Sequence, residues 1–483
     1  MAGGGQPGRA ARAAVARSTR RGLYRKITLN FAQPLRLLNL SLFCLNSVFS
    51  LRLLFGVLLS SLVLLARPAQ AYSVLSHQAS IDSCWAPYLK PALERRFPGA
   101  TPNELREAKA YAYGGSIMQD MGYYPFGSAL FTDLAHYVRS GDFVENLLKN
   151  AKDRNEYAFA LGALAHYTAD IYGHEVGINK SVPLLFPNLR KKYGPIVTYE
   201  QNPVAHSRTE FAFDVTQLAA GRYRTAAYHD FIGFKVSEDL LQHAFAETYG
   251  LEMKQIIFNM DLAMGSYRFA VRNLIPLASR AAWRANRHEL RKVNRRIRRR
   301  DYVYKQSKEK YEQEYGNHYE RPKFGARIVA GIIRILPKVG PLRPLNFIAP
   351  TPEAQKIFRQ SFNETVVNYG HFLNKQTATV GQAPTLPNVD FDTGHNTKIG
   401  EYPLADRTYG EWVRALAKND FKEVTFTIQQ HILTFFSSVA LAQAKEPVDK
   451  GEKEKDNRRE TLAALEKLRA LNLAKNDAPA SKQ

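Results

Sequence analysis

Three side chains able to hold a metal ion, His166, Asp170 and His174, recur at a spacing of four in HYTADIYGHEVGIN, residues 166–179. On a helix, residues four apart share one face with Cβ atoms about 5–6 Å apart, so two such side chains can hold one ion or two neighbouring ions. The preceding run EYAFALGALA, 156–165, is rich in Ala and Leu and lacks proline, which predicts a strong helix leading into His166. Taken alone, the spacing reads first as a polar helix face with one histidine packed in the core. Other residues tip the balance. His206 and Glu210 stand one turn apart in VAHSRTEFAFDV, Asp120 lies in GGSIMQDMGYYP, His136 in FTDLAHYV and His77 in YSVLSHQASIDSCW. Zinc takes imidazole nitrogen and carboxylate oxygen, and eight such donors suffice for two or three ions sharing a bridging carboxylate.

In this order, His77, Asp120, His136, His166xxxAsp170, His174, His206xxxGlu210, the series resembles the ligand order of the zinc-dependent phospholipases C, a superfamily shared with the S1/P1-type nucleases. The motif spans residues 72–215, and the resemblance implies an all-α, phospholipase C / P1 nuclease-like helical fold that continues beyond it. It further implies Zn2+ as cofactor, two or three ions. Asp120, His136, His166 and Asp170 would hold one, His174, His206 and Glu210 a second. His77, Asp170 and the backbone of the first mature residue would hold a third. Bound zinc lowers the pKa of water to about 7 and clamps phosphate oxygens, so the implied reaction is hydrolysis of a phosphodiester, with Asp120 as the general base.

Two features depart from the best-known members. His174 follows Asp170 by four rather than six, a compact form similar to that of glycosylphosphatidylinositol-specific phospholipase D. Choline-selective members carry aromatic residues where this chain has Met121 and Asp133, so choline selectivity is not implied. Glu210 favours phospholipase over nuclease, since the nucleases use aspartate there. A non-enzymatic alternative is a zinc-stabilised scaffold that docks on membranes and has lost activity.

Residues 1–71 hold ten Arg or Lys and no acid, then an apolar run at 53–66, then RPAQA with small residues at Ala69 and Ala71. That is a signal-peptide pattern, to be cleaved after Ala71 or kept as an anchor, and it implies export to the periplasm or medium. Cleavage exposes Tyr72, five residues before His77, so the backbone of Tyr72 becomes the expected third-site ligand. Of the two cysteines, Cys44 leaves with the leader and Cys84 has no partner for a disulfide. The formal net charge of +23 falls to about +13 without the leader, which still implies an anionic partner.

Much of that charge lies in 284–305, RANRHELRKVNRRIRRRDYVYK, followed by an amphipathic, Pro-broken stretch at 324–350. Such a pair suits the surface of an anionic membrane, an insertion lying on the protein's own surface, or a nucleic-acid backbone. The chain thus divides into a leader 1–71, a catalytic core 72–283, a basic insertion 284–350, helices 351–445 completing or flanking the core, and a charged tail 446–483. Periodicity predicts helices over 353–375 and 411–445, and one short helix in the tail before disordered last residues. Between the first two, GQAPTLPNVDFDTGHNTKIGEYPL has no helical spacing, so Asp390, Asp392 and His395 read as a lid or structural loop rather than metal ligands. His243 and Glu247 repeat the HxxxE spacing with no vacant place in the series, and with His229, His288, His318, His371 and His431 they read as ordinary helix or surface residues. Phospholipid or another phosphodiester is the expected substrate, with no protein partner evident.

Overall fold

The computed structural model describes residues 74–124, 126–220, 222–223, 234–271, 275–296, 347–378, 385–437 and 452–471. Tyr72, the apolar run 53–66, His229, His318 and residues 297–346 lie outside them. The described residues all fall within the unit Ser61–Gln483. Their regular elements are helices, without a strand; the one β feature among them is an isolated antiparallel bridge between Val389 and Asn396.

Each site-bearing helix starts where local chemistry tells it to. Thr101 and Glu104 form a reciprocal cap, followed by Pro102, and open α3 (Pro102–Met118), which comes after α1 (Val74–Cys84) and α2 (Lys90–Arg96). Ser128 accepts from Phe131 N–H at 3.2 Å to open α4 (Ala129–Tyr137), and α5 (Ser140–Asn150) follows. Asp153 accepts from Glu156 N–H at 2.8 Å and opens α6 (Arg154–Tyr172). Such caps each contribute about 1 kcal/mol. At Gly173 the helix widens into a π-helical turn, Gly173–Ile178, before resuming as α7 (Asn179–Leu185) and α8 (Pro187–Tyr193). Asn202 and Pro203 then start α9 (Pro203–Ala219).

The crossing of α3 and α6 is the centre of the fold, and glycine makes it close. A methyl on Gly115 would lie 1.9 Å from the Phe159 carbonyl oxygen, and one on Gly162 2.1 Å from that of Ala112. The two backbones therefore touch without side chains between them. Around this crossing one apolar core gathers Ile117, Phe131, Leu134, Phe159 and Leu164 with residues far along the chain, among them Tyr369, Phe391, Trp412 and Leu468. Cys84 sits in it, fully buried, and burial pushes its thiol up to about 12.

Beyond α9 come α10 (Glu238–Tyr249), α11 (Met253–Ile256), α12 (Met260–Phe269) and α13 (Ile275–Val293). Helix α13 opens the basic region. It packs on α9, its Trp283 and Leu290 sharing one apolar cluster with Val215 of α9 and Leu75 of α1, while Arg287, Arg291 and Lys292 face solvent. Over these residues the basic segment lies on the protein's own surface with its cations outward. Next, α14 (Pro352–Ala378) runs against α6 and the π-helical turn. Over its described residues, to 437, the stretch expected as one helix over 411–445 is two, α15 (Pro403–Lys418) and α16 (Phe426–Phe435), because Asp420 and Phe421 adopt left-handed backbone (φ 49° and 55°) and break it. The tail's helix, α17 (Glu452–Ala470), packs on α15 and α16 and buries Leu465 and Leu468, so its apolar repeat joins the core.

Candidate metal centre

Eight of the nine residues singled out in the sequence meet at one place; the ninth, Tyr72, lies outside the described residues. His166 and Asp170 face inward from α6, one turn apart, with His166 Nε2 3.1 Å from Asp170 Oδ2. His136, from the last turn of α4, brings its Nε2 to 3.3 Å from that of His166 and 3.2 Å from Asp170 Oδ2. Asp120 lies in a 3-10 turn, Gln119–Tyr123, at the end of α3, with Oδ1 3.4 Å from His136 Nε2. On the other side His77, from α1, lies 3.4 Å from Asp170 Oδ1 and stacks on the His166 ring at 4.3 Å. Asp170 therefore offers one oxygen to each of two neighbouring donor groups. Tetrahedral zinc with bonds of about 2.0–2.1 Å separates its donors by about 3.3 Å, which is the spacing found.

The second group stands beside the first. His206 Nε2 is 3.0 Å from Glu210 Oε1 on α9, and His174 Nε2, on the π-helical turn, is 3.5 Å from the same oxygen.

The outward edges of the rings are tied to carbonyls, which can only accept. His136 Nδ1 donates to Thr132 O at 2.8 Å, His166 Nδ1 to Ser116 O at 3.0 Å, and His174 Nδ1 to Phe391 O at 3.0 Å. Each ring is thus held with its Nε2 facing the cluster, the orientation a metal ligand requires. Thr132 has a second task. Its hydroxyl donates to Gln119 O at 2.6 Å and accepts from Gly122 N–H at 2.8 Å, clamping the turn that carries Asp120 to the helix that carries His136.

The donor set is short of positive charge. Asp120 Oδ1, both Asp170 oxygens, His174 Nε2, both His206 ring nitrogens and Glu210 Oε1 are buried without a hydrogen-bond partner. Unsatisfied groups of this kind are costly and seldom gathered without a reason. Burial pushes the Asp120 carboxyl up to about 6 and the Glu210 carboxyl well above its usual range, and it drives His206 well below. Burial opposes charge on His136 too, but the Asp120 and Asp170 carboxylates beside it outweigh that and lift it to about 10. Divalent cations would answer every one of these demands, and the imidazole and carboxylate donors fit zinc.

One residue reaches the centre that the sequence did not nominate. Asp392, read as part of a lid or structural loop, is fully buried, and His174, His206 and Asp392 each place a donor atom within 4.8 Å of the others. Its neighbours stay apart as expected: Asp390 caps a turn by accepting from Thr393 N–H at 2.7 Å, and His395 is exposed. No local spacing marks Asp392; only the fold brings it in. The decoys lie elsewhere. His243 is exposed and Glu247 accepts from Lys149 and Asn150, while His288 and His371 face solvent and His431 packs against Tyr409. Met121 and Asp133 are both buried.

No curated protein and no solved structure matches the chain. The family model for zinc dependent phospholipase C matches residues 76–259, the span that carries every one of the eight converging residues. Over that span the chain is similar to the zinc-dependent phospholipase C family, a family of phosphodiester-hydrolysing enzymes, and its buried His and Asp groups are consistent with the multinuclear zinc site of that family.

Proposed function

We propose that this chain is an exported phospholipase C that cleaves a phospholipid to diacylglycerol and a phosphorylated head group. The observation that carries the reading is Asp170, whose two oxygens face two donor groups at 3.1–3.4 Å, an arrangement suited to a bridging ligand between neighbouring ions. On this reading the ligands are those the resemblance assigns: Asp120, His136, His166 and Asp170; His174, His206 and Glu210; and His77 with Asp170 and the backbone of Tyr72. When bound, zinc supplies an acidified water and neutralises charge on the phosphoryl oxygens. The protein's own part is positional. The carbonyl bonds to His136, His166 and His174 fix ring orientation, and Thr132 fixes the height of Asp120. Asp120 accepts the proton of the attacking water as its oxygen bonds to phosphorus in line with the glycerol oxygen, and the proton then passes to that leaving oxygen.

Export is supported by the leader's pattern and by the start of α1. Asp214, one turn beyond Glu210, accepts from Leu75 N–H at 3.0 Å and from the Ser76 hydroxyl at 2.7 Å, so the chain directly after Tyr72 is tied to the helix bearing His206 and Glu210. Approach to an anionic membrane through the 284–345 region is supported by the outward cations of α13.

Purified protein with its zinc measured by elemental analysis, presented with vesicles of several phospholipid classes, is expected to release diacylglycerol and to stop on chelation. Cleavage of single-stranded nucleic acid with no phospholipid turned over would establish the nuclease reading instead. N-terminal sequencing of the exported protein should begin at Tyr72.

A further inference from the structure

The segment just before α15 lies outside the span that matches the family, yet it backs the metal centre. Phe391 touches three of the histidines. Its carbonyl accepts from His174 Nδ1 at 3.0 Å, its N–H donates to His136 O at 3.1 Å, and its ring lies 5.0 Å and 6.1 Å from the rings of His136 and His166. Asp392 continues the contact. Its carbonyl accepts from Asn179 Nδ2 at 2.6 Å, while its Oδ2 takes both Tyr199 N–H at 3.0 Å and the Tyr402 hydroxyl at 2.5 Å. With Oδ2 so occupied, Oδ1 is held, buried and without a hydrogen-bond partner, 3.8 Å from His174 Nδ1. Tyr199 in turn sets its ring against His206 at 5.6 Å.

Charge gives this arrangement a purpose. His174 and His206 are neutral when they bind a metal, so Glu210 alone offsets one of zinc's two charges at this group. A second carboxylate at the outer edge of His174 balances the other in a place where water cannot.

We propose that Asp392 is a positioning residue of the metal centre: through His174 it sets how tightly the ion at His174, His206 and Glu210 is held. This rests on the zinc reading above. It assigns a part in the centre to the region after residue 380, which lies outside the family-matched span.

The test is zinc retention, not turnover. Wild-type protein and Asp392→Asn, which keeps the shape and an acceptor for Tyr199 or Tyr402 but loses the charge, are titrated with a competing chelator while bound zinc is counted. Glu210→Gln marks which step belongs to this ion. In Asp392→Asn that step should weaken by about 10–100-fold, the size usual for removing a partner behind a ligand, while the remaining steps and the far-ultraviolet circular dichroism stay unchanged. The visible absorption of the cobalt-substituted protein should change in parallel. Should Asp392→Asn fail to fold, Tyr402→Phe takes its place, freeing one anchor of the same carboxylate; a smaller weakening at the same step is then expected. An unchanged titration in the folded variant overturns the proposal. A wild-type protein that binds no zinc overturns the reading beneath it.

Discussion

Two regions build this centre by opposite means. In α6 and α9 the inward residues repeat at one helical turn, His166 with Asp170 and His206 with Glu210, so each pair is assembled by its own helix as soon as the helix forms. The 385–402 segment has no such period. Its Asp392 is 182 residues or more from His174, His206 and Glu210, which it approaches on α9 and the π-helical turn, and it arrives only because Tyr199, Tyr402 and Asn179 hold it there. The first region supplies donors, and the second helps to orient one of them, His174, through the Phe391 carbonyl. Donor pairs can thus be recognised from a short string of sequence, whereas their support must be read from the fold.

The comparison is most exposed at Asp170. Asp170→Asn should lower phosphodiester hydrolysis by a factor on the order of 10³, because one side chain faces two donor groups and several kcal/mol of charge stabilisation leave with it. Elemental analysis should show more than one zinc lost per chain. If only one ion leaves, Asp170 is not shared between the two groups.

Next in size is the crossing beneath. Gly162→Ala drives a methyl to 2.1 Å from the Ala112 carbonyl oxygen, and since backbone must move the destabilisation should reach about 3 kcal/mol, the upper end for overpacking. Denaturant unfolding of the zinc-loaded protein measures it. A loss below about 0.5 kcal/mol would mean that the helices slide freely and do not fix the distance from Asp120 to His166.

Thr132→Val sharpens the contrast within the first region itself. It removes two hydrogen bonds that clamp the Asp120 turn and should cost about 1–3 kcal/mol in stability. Turnover should fall with little change in KM, since Asp120 shifts while the rest of the site stays. A change in KM alone would place Thr132 in substrate binding instead. The smallest effect is expected at the decoy. His243→Ala, at the same HxxxE spacing but exposed on α10, should leave zinc content and turnover unchanged and stability within about 0.5 kcal/mol.

Much of the centre was legible because helical ligand pairs announce themselves by spacing, and because their order along the chain matched a known series. The helical class followed from the same periodicity. What escaped was decided by tertiary contact. The run through HYTADIYGHEV reads as uninterrupted helix, yet it widens at Gly173 where α14 lies alongside, and His174 faces Glu210 from that wider turn. The break at Asp420 and Phe421 needs left-handed backbone at residues with no glycine to signal it. Asp392 sits among Asp390 and His395, which look equally suited to metal in sequence and differ from it only in where the bridge between Val389 and Asn396 points the chain.

The chemistry of Cys84 bears on how durable such a centre is. Its thiol is enclosed in the core, donates only to the Val366 carbonyl at 3.8 Å, and is pushed up to about 12, so almost none of it is the reactive thiolate at neutral pH. Every donor gathered around Asp170 is nitrogen or oxygen. Oxidants that strip zinc from thiolate sites by forming disulfides or sulfenic acids find nothing here to attack. The centre is therefore indifferent to redox conditions: it can load in a reducing compartment and persist in an oxidising one, its metal governed by proton and chelator competition alone.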